Sequence, residues 1–284
     1  MHELNLLDET LDINQTPSYH LSIQVCPDGF SFAILDLVRN KYVALRHYDM
    51  DPGAPENQYL NQLEKIIEED EFLGKEYKSI ALLMPAPRFT LVPAPLFQKE
   101  NLRLYFEFNH PMEELDEMHA NRLKNAGAYL IYALPSELGN TLIKHFQQAE
   151  FFHYGVPLIE HPLTAPGNKG RDPQALLHLH HEHMEMVVHG DKKLTFYNAF
   201  RFSHPHDVLF FVMYVLEQLK LNPEKTELLI SGKIDKTSGI YLLLKQYIKN
   251  VGFARPNELF TYSYTFQDSP SHLFVHLLNL YSCV

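Results

Sequence analysis

The alternation of apolar and polar positions spells one series of elements twice. Residues 20–25 are apolar-rich, Cys26-Pro27-Asp28-Gly29 interrupts them, and residues 30–37 resume the pattern. Asp-Gly ahead of an apolar run signals a hairpin, because tight turns favour residues that tolerate positive φ. After Arg39-Asn40-Lys41, residues 42–48 supply a third strand, and Pro52, Gly53 and Pro55 end extended structure. Leu60, Leu63, Ile66 and Ile67 then recur at helical spacing, with Glu64, Lys65, Glu68 and Glu69 between them. Residues 79–84 are an almost unbroken apolar run stopped by Pro85, the pattern of a strand covered on both faces and parallel to its neighbour.

The second series begins at residues 175–180. His181-Glu182-His183 marks a turn, residues 184–188 return, residues 189–192 turn again, and 194–200 form the third strand. A helix follows from Asp207 to near Lys220, striped by Val208, Phe211, Val212, Val215, Leu216 and Leu219. Leu209, Phe210 and Met213 widen that stripe almost all round, which predicts a deeply buried helix. Residues 227–230 are the fourth strand, closed by Ser231-Gly232. Matching order and spacing argue for duplication.

Between the copies, residues 88–92 read as a strand and 96–108 as a helix. Residues 119–123 and 128–133 are two strands joined at Asn125-Ala126-Gly127. Ser136, behind Pro135, is the expected cap of a helix bearing Leu138, Leu142, Ile143 and Phe146. Residues 151–159 read as a further strand and 162–173 as a linker. The expected domains are 1–165, with an inserted subdomain at about 86–160, and 166–284. Near the end, Tyr262, Tyr264 and Phe266 alternate like one face of a strand.

Composition narrows the function. The net charge of −11 argues against nucleic acid, whose phosphates need a basic face. Cys26 and Cys283 are the sole cysteines, too few for a disulfide framework or a four-cysteine zinc site. No apolar run is long enough to span a bilayer, and the acidic start lacks the basic, apolar character of a leader, so a cytoplasmic protein is expected. There is no phosphate-binding Gly-x-x-x-x-Gly-Lys loop, no Gly-x-Ser-x-Gly elbow and no His-Glu-x-x-His helix.

The doubled strand-strand-strand-helix-strand unit resembles the ribonuclease H-like repeat of the actin-like ATPase superfamily. The segment Leu228-Leu229-Ile230-Ser231-Gly232, followed by Ser238-Gly239-Ile240 opening an apolar helix, is similar to that superfamily's adenosine-binding loop. The middle region resembles the variable subdomain of pilus-assembly and type II secretion members, and the chain as a whole is similar to an uncharacterised bacterial family assigned to this fold. The resemblance implies an α/β protein of duplicated ribonuclease H-like units with a central cleft between halves. Active members carry an acid at the end of the first strand of each half to hold a metal, then a glycine that lets backbone approach phosphate. Here the first half has Gln24-Val25-Cys26-Pro27, and Pro27 lacks an N–H; the second has His178-Leu179-His180 with no acid. Asp28 and Glu182 are the nearest carboxylates, and both suit turns. A degenerate nucleotide cleft would therefore involve Gln24, Asp28, Gly29, His180, Glu182, Ser231, Gly232 and Gly239.

Histidines need separate weighing, since the chain has 17 of them. His178, His180, Glu182 and His183 approximate the metallo-β-lactamase signature His-x-His-x-Asp-His. Glu replaces Asp, and a returning strand follows where that family has a glycine-rich turn into a helix. On a strand His178 and His180 share a face, while His183 lies past a turn and need not converge with them. No metal ligand is assigned. The sequence thus points to a non-catalytic member of the actin-like fold, a cytosolic scaffold or binding module with a protein partner. No cofactor is assigned; ATP with magnesium is the ligand the resemblance implies. The alternative is a divergent ATP-dependent kinase or ATPase, or a histidine-liganded metallohydrolase.

Overall fold

The structure, a computed structural model, describes residues 4–164 and 173–284. These residues form two compact units. The first extends to Val156 and also takes Leu259–Ser269 and Leu280–Val284, while the second holds Pro157–Glu258 and Pro270–Asn279. Most of the expected 162–173 linker lies outside the described residues.

In chain order, the elements are β1 (Leu4–Leu7), β2 (Tyr19–Cys26), β3 (Gly29–Asp36), β4 (Lys41–Asp49), α1 (Glu56–Glu69) and β5 (Ser79–Met84). Next come β6 (Phe89–Pro93), α2 (Leu102–Glu107), β7 (Asp116–Leu123), β8 (Ala128–Pro135), α3 (Ser136–His145), β9 (Ala149–His153) and α4 (Gly155–Thr164). Then follow β10 (Gln174–Leu179), β11 (His183–Gly190), β12 (Lys193–Arg201), α5 (Pro205–Gln218), β13 (Glu227–Gly232) and α6 (Gly239–Tyr247). The chain ends with β14 (Asn250–Phe253), β15 (Thr261–Tyr262) and α7 (Val275–Asn279).

The duplication is visible in the sheets. The first unit's main sheet runs β1-β4-β3-β2-β5-β9 with β15 beside β4, and the second unit's sheet runs β12-β11-β10-β13-β14. Within them, β4-β3-β2-β5 and β12-β11-β10-β13 are the same sequence of two antiparallel pairs and one parallel pair. The second strand of each copy slips register at its sixth residue, between Ile34 and Leu35 in β3 and between Val188 and His189 in β11. A bulge at one matched position is a feature chance would not place twice. The third sheet, β6-β8-β7, is antiparallel and belongs to the inserted region.

Burial on both faces explains the apolar runs: all eight residues of β2 are buried. Its polar members are satisfied locally, with the His20 ring bonded to Ser79 Oγ at 2.8 Å and Ser22 Oγ at 3.1 Å. Burial pushes the His20 pKa down to about 3, so the ring is neutral. The first unit also buries an ion pair, Arg46 Nη1 to Asp70 Oδ2 at 2.8 Å, with the guanidinium 4.5 Å over the Phe72 ring. Tyr48 donates its hydroxyl to the same carboxylate oxygen.

Several expectations need correction. The 151–159 run is not one strand: β9 ends at His153 and α4 begins at Gly155. His153 closes that corner, accepting from Gly155 N at 2.8 Å and bonding Ala86 O at 2.7 Å through its other nitrogen. The 96–108 helix survives only as α2, preceded by two 3-10 turns. Phe97 stacks on Tyr129 with centroids 3.6 Å apart and sits in extended backbone, which breaks the helix. Ser136 is the first helical residue rather than the cap; Pro135 occupies the cap position. Helix α5 is covered on one side only. It buries Val208, Val212, Val215 and Leu216, but Phe210 is 62% and Tyr214 48% exposed. Of the Tyr262-Tyr264-Phe266 alternation, only Thr261–Tyr262 is strand; Ser263 then caps a 3-10 turn.

Candidate functional site

The β2–β3 hairpin is built from Gln24, Asp28 and Gly29. Gln24 sits across from Ser31 and beside Leu83, in the middle of a buried sheet. Its amide nitrogen donates to Cys26 Sγ at 3.5 Å, while Oε1 is buried with no hydrogen-bond partner among the described residues. Cys26 is buried, its thiol bonded to the Tyr154 hydroxyl and its carbonyl accepting from Tyr59 at 2.9 Å.

Cys26 pairs with Gly29, so the two-residue loop is Pro27-Asp28, not Asp28-Gly29 as the sequence signal suggested. Neither loop residue has positive φ. Gly29 is instead required by packing. A Cβ there would lie 2.5 Å from His47 Cε1 and 3.2 Å from Tyr48 O. The His47 ring cannot easily yield, because it bonds Ser31 Oγ at 2.8 Å and Asp49 Oδ1 at 3.0 Å.

A pocket of about 390 Å³ opens beside this hairpin in the first unit. Its wall carries Pro27, Pro52, Pro85, Pro87 and Pro135 with Cys26 and Tyr59, and two carboxylates, Asp51 and Glu56. Arg88 is the lining cation, and its charge is already engaged. It grips Asp116 with two bonds of 2.8 and 2.6 Å and lies 3.4 Å from Glu113. Burial opposes Asp116 ionisation, yet the bonds from Arg88 hold its carboxyl below the usual range.

The second unit holds His180, Glu182, Ser231, Gly232 and Gly239. On neighbouring strands β10 and β13, His178 Nδ1 bonds Ser231 Oγ at 2.9 Å. The His178 ring lies 4.4 Å from that of His180 and 3.8 Å from that of His276. His180 N donates to His183 O at 2.9 Å and closes the β10–β11 turn. That closure stacks the His180 and His183 rings, 4.0 Å apart at 12°. The sequence left the convergence of His183 open; the tight turn returns it directly to His180.

The carboxylate at this end is Glu185, not Glu182. The Glu182 side chain is 82% exposed. Glu185 is 1% exposed, stands across from His178 in register, and places Oε1 3.5 Å from His180 Nε2. Tyr197 donates to Glu185 Oε2 at 2.7 Å, and burial next to that carboxylate pushes the tyrosine pKa well up. Burial likewise drives His178 well below the ordinary imidazole value and His276 down to about 3. Sequence reasoning missed Glu185, and offered His276, with His204, His206 and His272, only as a later histidine outside any recognisable ligand motif. A lone acid inside the apolar 184–188 run was the one signal for the first.

Gly232 ends β13 with φ of +95°, and a Cβ would lie 2.1 Å from Leu179 O. Only glycine fits between the two strand ends. Ser238 caps α6, accepting from Tyr241 N at 3.2 Å, so the Ser-Gly helix opening stands as expected. Gly239 is exposed, and a Cβ added there would meet nothing closer than Pro205 Cγ at 4.0 Å.

A family model described as "Protein of unknown function (DUF3822)" matches residues 8–251. No protein with a curated description matches the chain. Similar solved structures include the following three. One, from Bacteroides thetaiotaomicron, is described as a protein with actin-like ATPase fold and unknown function; it is 24% identical over 86% of this chain and 94% of that one, with a TM-score of 0.78. The PilM-PilN type IV pilus biogenesis complex is 13% identical over 93% of this chain and 98% of that one, with a TM-score of 0.60. The ethanolamine utilization protein EutJ from Carboxydothermus hydrogenoformans is 9% identical over 98% and 93%, with a TM-score of 0.54. The fold is that of the actin-like ATPases. Among the described residues, no helix is long and apolar enough to cross a membrane.

Proposed function

The chain belongs to the family described as "Protein of unknown function (DUF3822)", and from its actin-like ATPase fold we propose that it is a non-hydrolytic cytosolic binding module that engages a protein partner. The observation that carries this reading is the lining of the first-unit pocket. A polyphosphate needs backbone donors and free cations. This wall offers proline faces, the carboxylates Asp51 and Glu56, and an arginine already neutralised by Asp116. Such a surface suits an extended peptide with apolar and basic side chains. Gln24 and His178 stand where hydrolysing members of the fold carry acids, and both are held inside their sheets. The PilM-PilN complex, similar in fold, is an assembly between proteins.

Two measurements test the reading. Purified chain with ATP and magnesium should release no phosphate above background. A turnover abolished by Gln24→Ala or Asp28→Ala would overturn the proposal. A partner captured by the wild-type chain should escape a Pro87→Lys variant, which sets a positive charge at an exposed position against the partner's basic side chains. Equal capture by both would remove the pocket from the account.

A further inference from the structure

We propose that His180, His183 and Glu185 hold a divalent transition-metal ion of the zinc class at the end of the β10–β11 hairpin. One donor atom from each residue lies within 4.8 Å of the others, and His180 Nε2 is 3.5 Å from Glu185 Oε1. Donors bound to zinc at 2.0–2.1 Å stand roughly 3.3 Å apart, so the His180–Glu185 pair is already close, and donors as far as 4.8 Å apart must draw together by up to about 1.5 Å. Two imidazoles and one carboxylate suit zinc and its neighbours, whereas magnesium and calcium prefer all-oxygen sets. Three protein ligands leave a fourth position for water or for an oxyanion of a bound ligand.

The surroundings are those of a prepared site. Tyr197 donates to Glu185 Oε2 at 2.7 Å, which aims the other oxygen at His180. Such outer hydrogen bonds orient metal ligands. The His180 side chain is 6% exposed and that of Glu185 1%, while His183 is partly exposed and leaves a path for the ion. The hairpin fixes two of the ligands at once, because the His180 N to His183 O bond locks the backbone between them. The two rings lie face to face at 12°, so a ring must turn about its Cβ–Cγ bond, a soft torsion, for their in-plane lone pairs to converge on the ion. This site goes beyond the binding role proposed above and does not depend on it.

The test uses the full chain, stripped with a chelator, reloaded with zinc chloride and desalted. Elemental analysis should find about one zinc per chain, and competition with a chromophoric chelator gives its affinity. Cobalt loading should give the visible bands of a tetrahedral ion. Tyr197→Phe should weaken binding by about 10- to 100-fold, and His183→Ala and Glu185→Gln by more. A double His204→Ala/His206→Ala variant, which removes the exposed histidine pair at the start of α5, should bind like the wild type. Melting of each stripped variant checks its fold, and His183→Ala, being at a partly exposed position, keeps the test valid if Glu185→Gln fails to fold. Absence of stoichiometric zinc, undiminished zinc in His183→Ala, or equal loss in the His204/His206 double variant would overturn the proposal.

Discussion

Gly232→Ala tests how closely the strand ends of the second repeat approach. The methyl group would sit 2.1 Å from Leu179 O and 3.0 Å from its carbonyl carbon. Ordinary contact begins near 3.4 Å, so β10 and β13 must part by more than an ångström at their last paired position, Leu179 with Gly232. The positive φ adds about 1–2 kcal/mol for any L-residue. Forcing well-packed strands apart costs about 1–3 kcal/mol more. Together these give a loss of about 2–5 kcal/mol, read as a melting temperature lower by roughly 10 °C at about 2–4 °C per kcal/mol. Gly127→Ala is the control. Its φ is +66° but nothing lies within 4 Å of the added Cβ, so only the strain of about 1 kcal/mol applies. Gly74→Ala has neither strain nor a neighbour and should be neutral or stabilising. Thermal unfolding followed by circular dichroism ranks the three. A Gly232→Ala protein that melts no lower than Gly127→Ala would refute the close approach. A corollary concerns ligand binding: loss of a ligand in Gly232→Ala would report strand separation, not a lost ligand contact.

Two further predictions concern charge. Asp70→Asn leaves Arg46 buried with Glu71 as its one remaining carboxylate partner and should cost about 3 kcal/mol in urea unfolding, whereas Glu71→Gln, whose side chain is 61% exposed, should cost under about 1 kcal/mol. Equal losses would place the pair's strength at the surface. His20 and His189 have folded pKa values pushed down by burial to about 3 and about 4, against 6.5 when unfolded. Below pH 6.5 the unfolded chain takes up their protons and the folded chain does not, so stability falls toward those lower values, by about 1.4 kcal/mol per pH unit for each ring. His20→Gln should flatten the acid limb by one proton's slope; an unchanged limb would mean His20 charges within the fold.

The repeat was legible because its signals are local. Asn40, Asp191 and Lys192, all at positive φ, sit where the sequence showed turns, and the 79–84 run became β5 at those same bounds. Failures came where a partner distant in sequence decides. The 151–159 run is apolar enough for strand or helix, and the His153–Ala86 bond splits it into both. Phe97 leaves a helical pattern for the Tyr129 ring. Within the second-unit cluster, His178 and His180 were evident from their spacing, but Glu185 was concealed in an apolar strand. His276 arrives from nearly a hundred residues downstream, beyond the reach of any spacing rule. Gly29 and Gly232 were noticed as phosphate-type glycines, yet both are required by neighbouring strands.

The return of the last residues to the first unit bears on how the chain is made. Asn40 donates to Leu259 O at 2.6 Å and accepts from Thr261 N at 3.0 Å, and the Tyr281 ring lies 4.6 Å from that of His20. A ribosome that has delivered Val156 must still extend the nascent chain through the whole second unit before these contacts form. At 5–20 residues per second that interval is on the order of ten seconds. Throughout it the first sheet lacks β15 along β4 and its aromatic cover over His20. Synthesis of residues 259–281, not emergence of the first repeat, is the event that completes the first unit, and a stop before residue 259 would leave the earliest-made sheet without β15.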